Sequence, residues 1–425
     1  MHTNPWGGPI FSGCPSGYRC ASRVDVGGTV EEFCSRVGEK EGVDLKQSRG
    51  LLRHSGNNRD TVCSNETDAI HPPFFPRYHL CTLDREALET VHGFPVKGHS
   101  DYELAYYSNM GSIRDAKPDV RFVFVAIHGS SRTADDYLCA AVGAIQLQVR
   151  YPPGSVLVVS PHFLVAEDGE PGFKPTQAGA LPLRWNETHP IAHTWRYGAD
   201  SIAGGISSYD TIDDLLDHFM LDRKGLYPNL EAIAIAGHSA GGQFVQRYAL
   251  LSSHPALDAK QSQTSTAKIR NVQVRLVAAN PRSYCYLDDR RRYKDGKYDR
   301  PWDDKIEACP RWNQYQWGLD QGGDVSAPYR DKALELVGGT DALRRRFLGR
   351  NVTYLAGTKD VLPLEGMCED DFFQGGCRLE RAHFYFVSLE LFGASKNNHH
   401  QLHEVLGSNH DHTLMFQLSV KYIFG

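Results

Sequence analysis

The chain has 425 residues, with 46 Lys or Arg, 51 Asp or Glu and a net charge of −5. That length can bury a large core, as one domain with insertions or as two domains. The mild acidity gives no support for a nucleic-acid or anionic-membrane partner, and no apolar run reaches the ~20 residues a membrane-spanning helix needs.

Residues 1 to about 98 are loop-rich, with Gly, Pro, Ser and Cys scattered and little periodicity. They read as an N-terminal extension, 1–98, ahead of a main domain, 99–425. Helical character is expected at Val30–Val37 and Asp84–Val91. The first 30 residues, with Trp6-Gly7-Gly8-Pro9 and two cysteines, lack the pattern of a signal peptide. The ten cysteines include no Cys-x-x-Cys, which argues against a zinc ribbon or a thioredoxin-type site. Cys14, Cys20, Cys34, Cys63 and Cys81 crowd the extension, and two near pairs, Cys285 with Cys309 and Cys368 with Cys377, are the expected bridges later on. Together with N-x-[ST] sequons at Asn65, Asn186 and Asn351, they tilt the expectation towards a secreted, disulfide-bonded glycoprotein. The alternative is a cytosolic protein with buried thiols.

From Tyr102 the pattern changes. Tyr102–Tyr107 suggests a strand. Arg121–Ile127 is an apolar buried strand ending in His128-Gly129-Ser130, with a helix from Thr133 carrying Asp135 and Asp136 in its first turn. Ser155–Ser160 is the next strand, closing on Pro161-His162-Phe163. A loop rich in Gly, Pro and Trp, including Trp195, runs from Leu164 to about Gly205. Ser207 with Asp210, and Thr211 with Asp214, fit capping boxes. They open a helix whose Ile212, Leu215, Leu216 and Phe219 share one face. Ala232–Ala236 is a short apolar strand. Gly237-His238-Ser239-Ala240-Gly241 follows it, and then Phe244, Val245, Tyr248 and Ala249 recur at helical spacing. Val272–Ala279 is another strand. After Asn280-Pro281-Arg282-Ser283-Tyr284 an irregular insertion, about 281–330, holds Trp302, Trp312 and Trp317. Within it Arg290-Arg291-Arg292 reads as a solvated turn. Asn351–Gly357 delivers Thr358-Lys359-Asp360. Leu379–Leu391 is helical, Gln401–Leu406 is the last strand, and Gly407-Ser408-Asn409-His410-Asp411-His412 follows it.

Strands alternating with helices predict an α/β fold with a mostly parallel central sheet and helices on both faces. In such sheets reacting groups gather at the carboxyl ends of strands, and each motif above lies at one. A Ser in G-x-S-x-G between strand and helix reads as a nucleophile elbow. Glycines at 237 and 241 permit the tight turn, and the helix N-terminus favours developing negative charge.

On these motifs, from about Tyr102 to Gly425, the chain resembles the α/β-hydrolase family, whose triad runs Ser, then acid, then His. It is most similar to fungal and bacterial hydrolases with the run Gly-His-Ser-Ala-Gly-Gly-Gln followed by Arg-Tyr-Ala. The resemblance implies Ser239 as nucleophile and His410 as its base, with His412 the rival. It implies Asp360 as the orienting acid, with Glu365 and Asp370 as fallbacks. The backbone N–H groups of Ala240 and Ser130 would form the oxyanion hole. His162, Trp195 and Tyr284 are candidate pocket residues, and 281–330 falls where many members carry a lid. The implied activity is hydrolysis of a small-molecule carboxylic ester. The alternatives are an amidase, peptidase or lactonase on the same fold, or a silent binding protein. His399, His400 and His403 lack His-Glu-x-x-His spacing, so no metal is expected. No nucleotide-binding glycine motif is present, so no cofactor is implied. Oligomeric state and substrate identity are not legible.

Overall fold

The computed structural model describes residues 81–425 apart from 170–171, 187–193, 222–224, 259–271, 294–295, 322–327, 365–367, 369–372 and 395–398, with the backbone of Tyr18–Val24 and Val30–Arg36. The chain divides into two compact units, 1–58 and 59–425. In the first, Tyr18–Val24 and Val30–Arg36 pair antiparallel, with Tyr18 opposite Arg36. The helical character expected at Val30–Val37 is therefore corrected to a strand. Gly27-Gly28 lies between the two segments in the sequence, a hairpin signal that outweighs the weak helical spacing. Cys14, Cys63 and Asn65 lie outside the described residues.

The second unit is built on a ten-stranded sheet. Its eight long strands are β1 Val91–Pro95, β2 Tyr102–Ser108, β3 Phe122–Ile127, β4 Val156–Pro161, β5 Ala232–His238, β6 Gln273–Ala279, β7 Val352–Gly357 and β8 His400–Val405. They lie in the order β8-β7-β6-β5-β3-β4-β2-β1. Every pair from β4 to β8 is parallel, whereas β2 runs antiparallel to both β1 and β4. The sheet thus begins at Val91, inside the stretch assigned from the sequence to an extension ending at 98.

Strands β3, β4 and β5 are buried along their whole length. Neither face can then be polar, which is why they read as continuous apolar runs. Alternate residues enter different layers. Val123, Val125, Ile127, Ile233 and Ile235 face one core with Ile212, Leu215, Phe219 and Phe244. Phe122, Phe124, Ala232, Ala234 and Ala236 face the other with Leu138, Ala141, Met415 and Phe416. Helices α1 Ala134–Ile145, α2 Ser208–Leu221, α3 Ala240–Leu251, α4 Arg378–Glu390 and α5 His412–Leu418 supply these covers. Ser207 Oγ accepts the Tyr209 N–H at 3.1 Å, satisfying one free donor at the start of α2.

Two bridges link described cysteines, Cys81–Cys139 and Cys309–Cys368. The expected Cys285–Cys309 and Cys368–Cys377 pairs are therefore corrected. Cys285 is a free, buried thiol whose Sγ lies 3.3 Å from the Gly318 carbonyl oxygen. Cys309 instead shares a small cluster with Trp312, Phe373 and Cys368. Cys377 is disulfide-bonded as well. The solvated turn expected at Arg290–Arg292 is also corrected. Arg291 is 2% exposed, with its guanidinium over the rings of Tyr286 and Trp312.

Candidate active site

The elbow occupies the crossing from β5 to α3. Ser239 has φ 59° and ψ −116°, a conformation that costs a non-glycine residue about 1–3 kcal/mol and needs over-determined surroundings. Close packing supplies them. A Cβ on Gly237 would stand 2.2 Å from the Gly241 carbonyl oxygen, and one on Gly241 2.2 Å from that of Ile127. The Ser239 N–H donates to the Ala279 carbonyl at 2.9 Å, pinning the elbow to the end of β6.

His410 follows β8. Its Nε2 lies 2.9 Å from Ser239 Oγ, and its Nδ1 lies 2.7 Å from Asp360 Oδ2. A carboxylate oxygen only accepts, so Nδ1 carries the proton and Nε2 offers its lone pair to the serine hydroxyl. Asp360 is 2% exposed, whereas the His410 side chain is 30% exposed, so the acid is buried and the base reaches solvent. Asp360 Oδ1 also accepts from Arg378 Nη1 at 3.3 Å. The rival, His412, is the first residue of α5, and its ring stacks on Tyr137 with centroids 4.3 Å apart. Glu365 and Asp370 lie outside the described residues.

The loop after β3 approaches Ser239 from the other side. A Cβ on Gly129 would stand 3.7 Å from Ser239 Cβ, an ordinary contact, and 2.7 Å from Tyr137 Oη, so the Tyr137 ring would have to shift to admit one. The buried His128 ring sets the orientation of this loop. Its Nε2 accepts the Phe163 N–H at 3.0 Å, which leaves the proton on Nδ1, and Nδ1 donates to the Gly129 carbonyl at 2.8 Å. In a trans peptide the carbonyl and the next N–H point in opposite directions. Holding the Gly129 carbonyl towards His128 therefore turns the Ser130 N–H away from it. From outside, Arg132 Nη1 donates to the Ser130 carbonyl at 3.1 Å, and its Nε and Nη2 grip Asp168 at 2.8 and 2.9 Å. Arg132 itself sits at φ 56°, held by this clamp. Ala240, at the start of α3, has its N–H free of the helix ladder.

Burial dominates the histidine chemistry here. It pushes His128 down to about 3 and His162 down to about 4. His238 is held well below its ordinary value by burial and by its neighbours His410 and His412. His238 Nδ1 lies 3.2 Å from Tyr137 Oη, and its ring sits 4.5 Å from that of His410. All three rings remain neutral near pH 7.

The candidate pocket residues fall differently. Trp195 and Tyr284 are 0% exposed, and His162 is 9% exposed. Trp195 stacks on Phe163 and meets His128 edge-on at 4.6 Å. Tyr284 stacks on Tyr385 at 4.3 Å. These two rings support the loops that carry the site and present no surface to a ligand, which corrects their assignment as pocket lining. Asn280, Tyr137 and Arg378 carry no signal of a role at the site in the sequence alone. Their roles come from contacts between segments far apart in the chain.

Among the described residues no group of three or more His, Cys, Asp or Glu is set to hold a metal. His400 bonds to Tyr354 and to the Phe347 carbonyl, and His403 stacks on Tyr422.

Parallel strands in this order, an elbow after β5, and an acid and a histidine after β7 and β8 give the chain the α/β-hydrolase fold. No protein-family model matches the chain, and no curated protein matches it. Among solved structures it is similar to LpqC, a poly(3-hydroxybutyrate) depolymerase from Bordetella parapertussis, at 22% identity over 76% of this chain and 85% of that one, TM-score 0.44. It is also similar to poly(aspartic acid) hydrolase-1 from Sphingomonas sp. KT-1, at 20% identity over 79% and 99%, TM-score 0.46. A third similarity is to the siderophore hydrolase EstA from Aspergillus nidulans, at 12% identity over 79% and 93%, TM-score 0.36.

Proposed function

We propose that this protein is a serine hydrolase that cleaves a carboxylic ester through an acyl-enzyme on Ser239. The observation that carries the reading is the unbroken chain Ser239 Oγ, His410 Nε2, His410 Nδ1 and Asp360 Oδ2, at 2.9 and 2.7 Å. A free serine hydroxyl is a weak nucleophile and needs a base within hydrogen-bond reach. His410 takes the Oγ proton as Oγ attacks the ester carbonyl carbon, and Asp360 offsets the charge on the imidazolium. The N–H groups of Ala240 and Ser130 bind the oxyanion. His410 then hands its proton to the leaving alkoxide. A water enters and gives a proton to His410 as it attacks the acyl carbon. The carboxylic acid departs, and the proton returns to Ser239.

A fluorophosphonate probe followed by peptide mass spectrometry tests this. The expected adduct is on Ser239 in folded protein, and its absence would overturn the reading. A panel of nitrophenyl esters and aryl amides then separates ester from amide cleavage.

We further infer a secreted glycoprotein. The support is chemical: two bridges among the described cysteines, and exposed side chains at the sequon residues Asn186 and Asn351. Disulfides form and persist in oxidising compartments. A mass loss on treatment with an N-glycanase, mapped to Asn186 or Asn351, checks the second part.

A further inference from the structure

The three side chains just described come from the ends of three different strands; one residue bonds to two of those ends, and the residue before it bonds to the third. Asn280 follows β6, is 2% exposed, and has φ 43°. Its N–H donates to the Leu355 carbonyl near the end of β7 at 2.9 Å. Its Oδ1 accepts the Gly357 N–H at 2.8 Å, three residues before Asp360. Its Nδ2 donates to the Asn409 carbonyl at 3.1 Å, in the peptide that leads into His410. The amide orientation is fixed by these partners, since Gly357 offers only a donor and Asn409 only an acceptor. The preceding residue, Ala279, supplies the carbonyl that receives the Ser239 N–H.

We propose that Asn280 is the positioning residue that sets the acid and histidine loops in register with the nucleophile. The proposal rests on the serine-hydrolase reading above, because it assigns a task within that site. Three features argue for a dedicated role. A non-glycine residue at positive φ is uncommon, and asparagine is among the few that tolerate it. The short carboxamide presents one donor and one acceptor in a single plane; aspartate lacks the donor and alanine lacks both. The loops it joins also pack too closely for slack. A Cβ on Gly357 would stand 2.5 Å from the Ser408 carbonyl oxygen, and Lys359 N–H donates to that same carbonyl at 2.8 Å. Asn280 is buried. It acts through the backbone on either side of the reacting pair.

The experiment uses the full chain with Asn280→Asp and Asn280→Gly. Asn280→Asp keeps the bond to Gly357 but sets a carboxylate oxygen against the Asn409 carbonyl. Asn280→Gly keeps the backbone conformation and loses both side-chain bonds. Two readouts are taken on p-nitrophenyl acetate and on a fluorophosphonate: kcat with KM, and the rate and final extent of Ser239 labelling. Misplacing a reacting group by ~1 Å can cost about a hundredfold. The expected result is a loss of kcat of roughly tenfold or more in both variants, with KM within about twofold. Labelling should be slower by a similar factor yet still complete. A purely structural role would lower the melting temperature and the labelled fraction and leave the rate per folded molecule unchanged. Either variant, folded and labelling at the wild-type rate, overturns the proposal for Asn280 alone. Wild-type protein that does not label at Ser239 overturns the hydrolase reading, and this proposal with it.

Discussion

His128 offers a way to separate stability from chemistry at one buried ring. In His128→Phe an aromatic ring is kept, along with contact to Trp195 and Phe163, but both hydrogen bonds vanish. The Phe163 N–H is left buried without its partner, at about 1–3 kcal/mol, and the Gly129 carbonyl keeps only the Arg132 N–H, at 3.1 Å. The Gly129–Ser130 peptide thus loses the shorter of the two bonds that aim its N–H. Deleting an oxyanion donor outright costs about 10²–10³ in kcat; releasing one that is still present should cost roughly tenfold to a hundredfold. His128→Asn is the complement. Its amide nitrogen stands near the place of Nδ1 and can still donate to Gly129, while the lost ring leaves a void beside Trp195. Turnover of p-nitrophenyl acetate, read beside thermal melts, should show His128→Phe losing more kcat and His128→Asn losing melting temperature with most of its kcat. A folded His128→Phe enzyme with wild-type kcat would refute the argument from the Gly129 carbonyl.

Other expectations concern the base, the protonation of the core and the bridges. Ser239→Ala and His410→Ala should each abolish ester turnover while His412→Ala, whose ring packs on Tyr137, keeps most of it; the reverse pattern for the two histidines would assign the base to His412. The unfolded chain takes up protons on its histidines as pH falls below about 6.5, whereas folded His128 waits until about 3 and His162 and His400 until about 4. Their contribution to stability is full above pH 6.5 and is lost as pH falls towards those values, with a slope approaching roughly 4 kcal/mol per pH unit for three sites. Urea midpoints measured from pH 7 to pH 5 should drop accordingly, and a flat profile would contradict the neutral burial of these rings. Peptide mapping without reduction should recover Cys81 with Cys139 and Cys309 with Cys368, and iodoacetamide should reach Cys285 only after denaturation. Recovery of a Cys285–Cys309 peptide would contradict the packing of that thiol against Gly318.

The sheet is legible in the sequence because burial on both faces leaves β3, β4 and β5 no choice but continuous apolar residues, bounded by Gly, His and Ser. Ser239 stands just past such a run, whereas β8 is polar and half-exposed, so Asp360 and His410 are expected only from the order, Ser then acid then His, of the family the chain resembles. What escapes is whatever depends on a partner far along the chain. Asn280 in isolation is one more polar residue after a strand. Its partners, Gly357 and Asn409, lie 77 and 129 positions away. Cysteine pairing fails likewise, because nearness in sequence says nothing of which thiols the core brings together. The boundary at 98 misses β1, whose five residues are too few to show alternation.

The irregular segments around the site follow a rule that composition hides. A loop has no ladder partner for its carbonyls, and buried carbonyls must still be bonded. Arginine, with five donors in a rigid fork, can hold several at once. Arg247 on α3 is 0% exposed and donates to the carbonyls of Gln316, Ser283 and Gln243. Arg291 holds the carbonyls of Asp288 and Arg290, Arg350 those of Ala249 and Ser252, and Arg381 those of Gly375 and Arg282. A guanidinium stripped of water is tolerated here because carbonyl dipoles surround it. One consequence bears on the catalytic end of the molecule. The segment that begins after Asn280 is fastened by Arg247 to the same helix that starts at the Ser239 elbow. Arg381, one turn along α4 from Arg378, fixes the carbonyl of Arg282, while Arg378 itself reaches Asp360. The insertion is thus tied by arginines of the flanking helices to the two elements that carry Ser239 and contact Asp360.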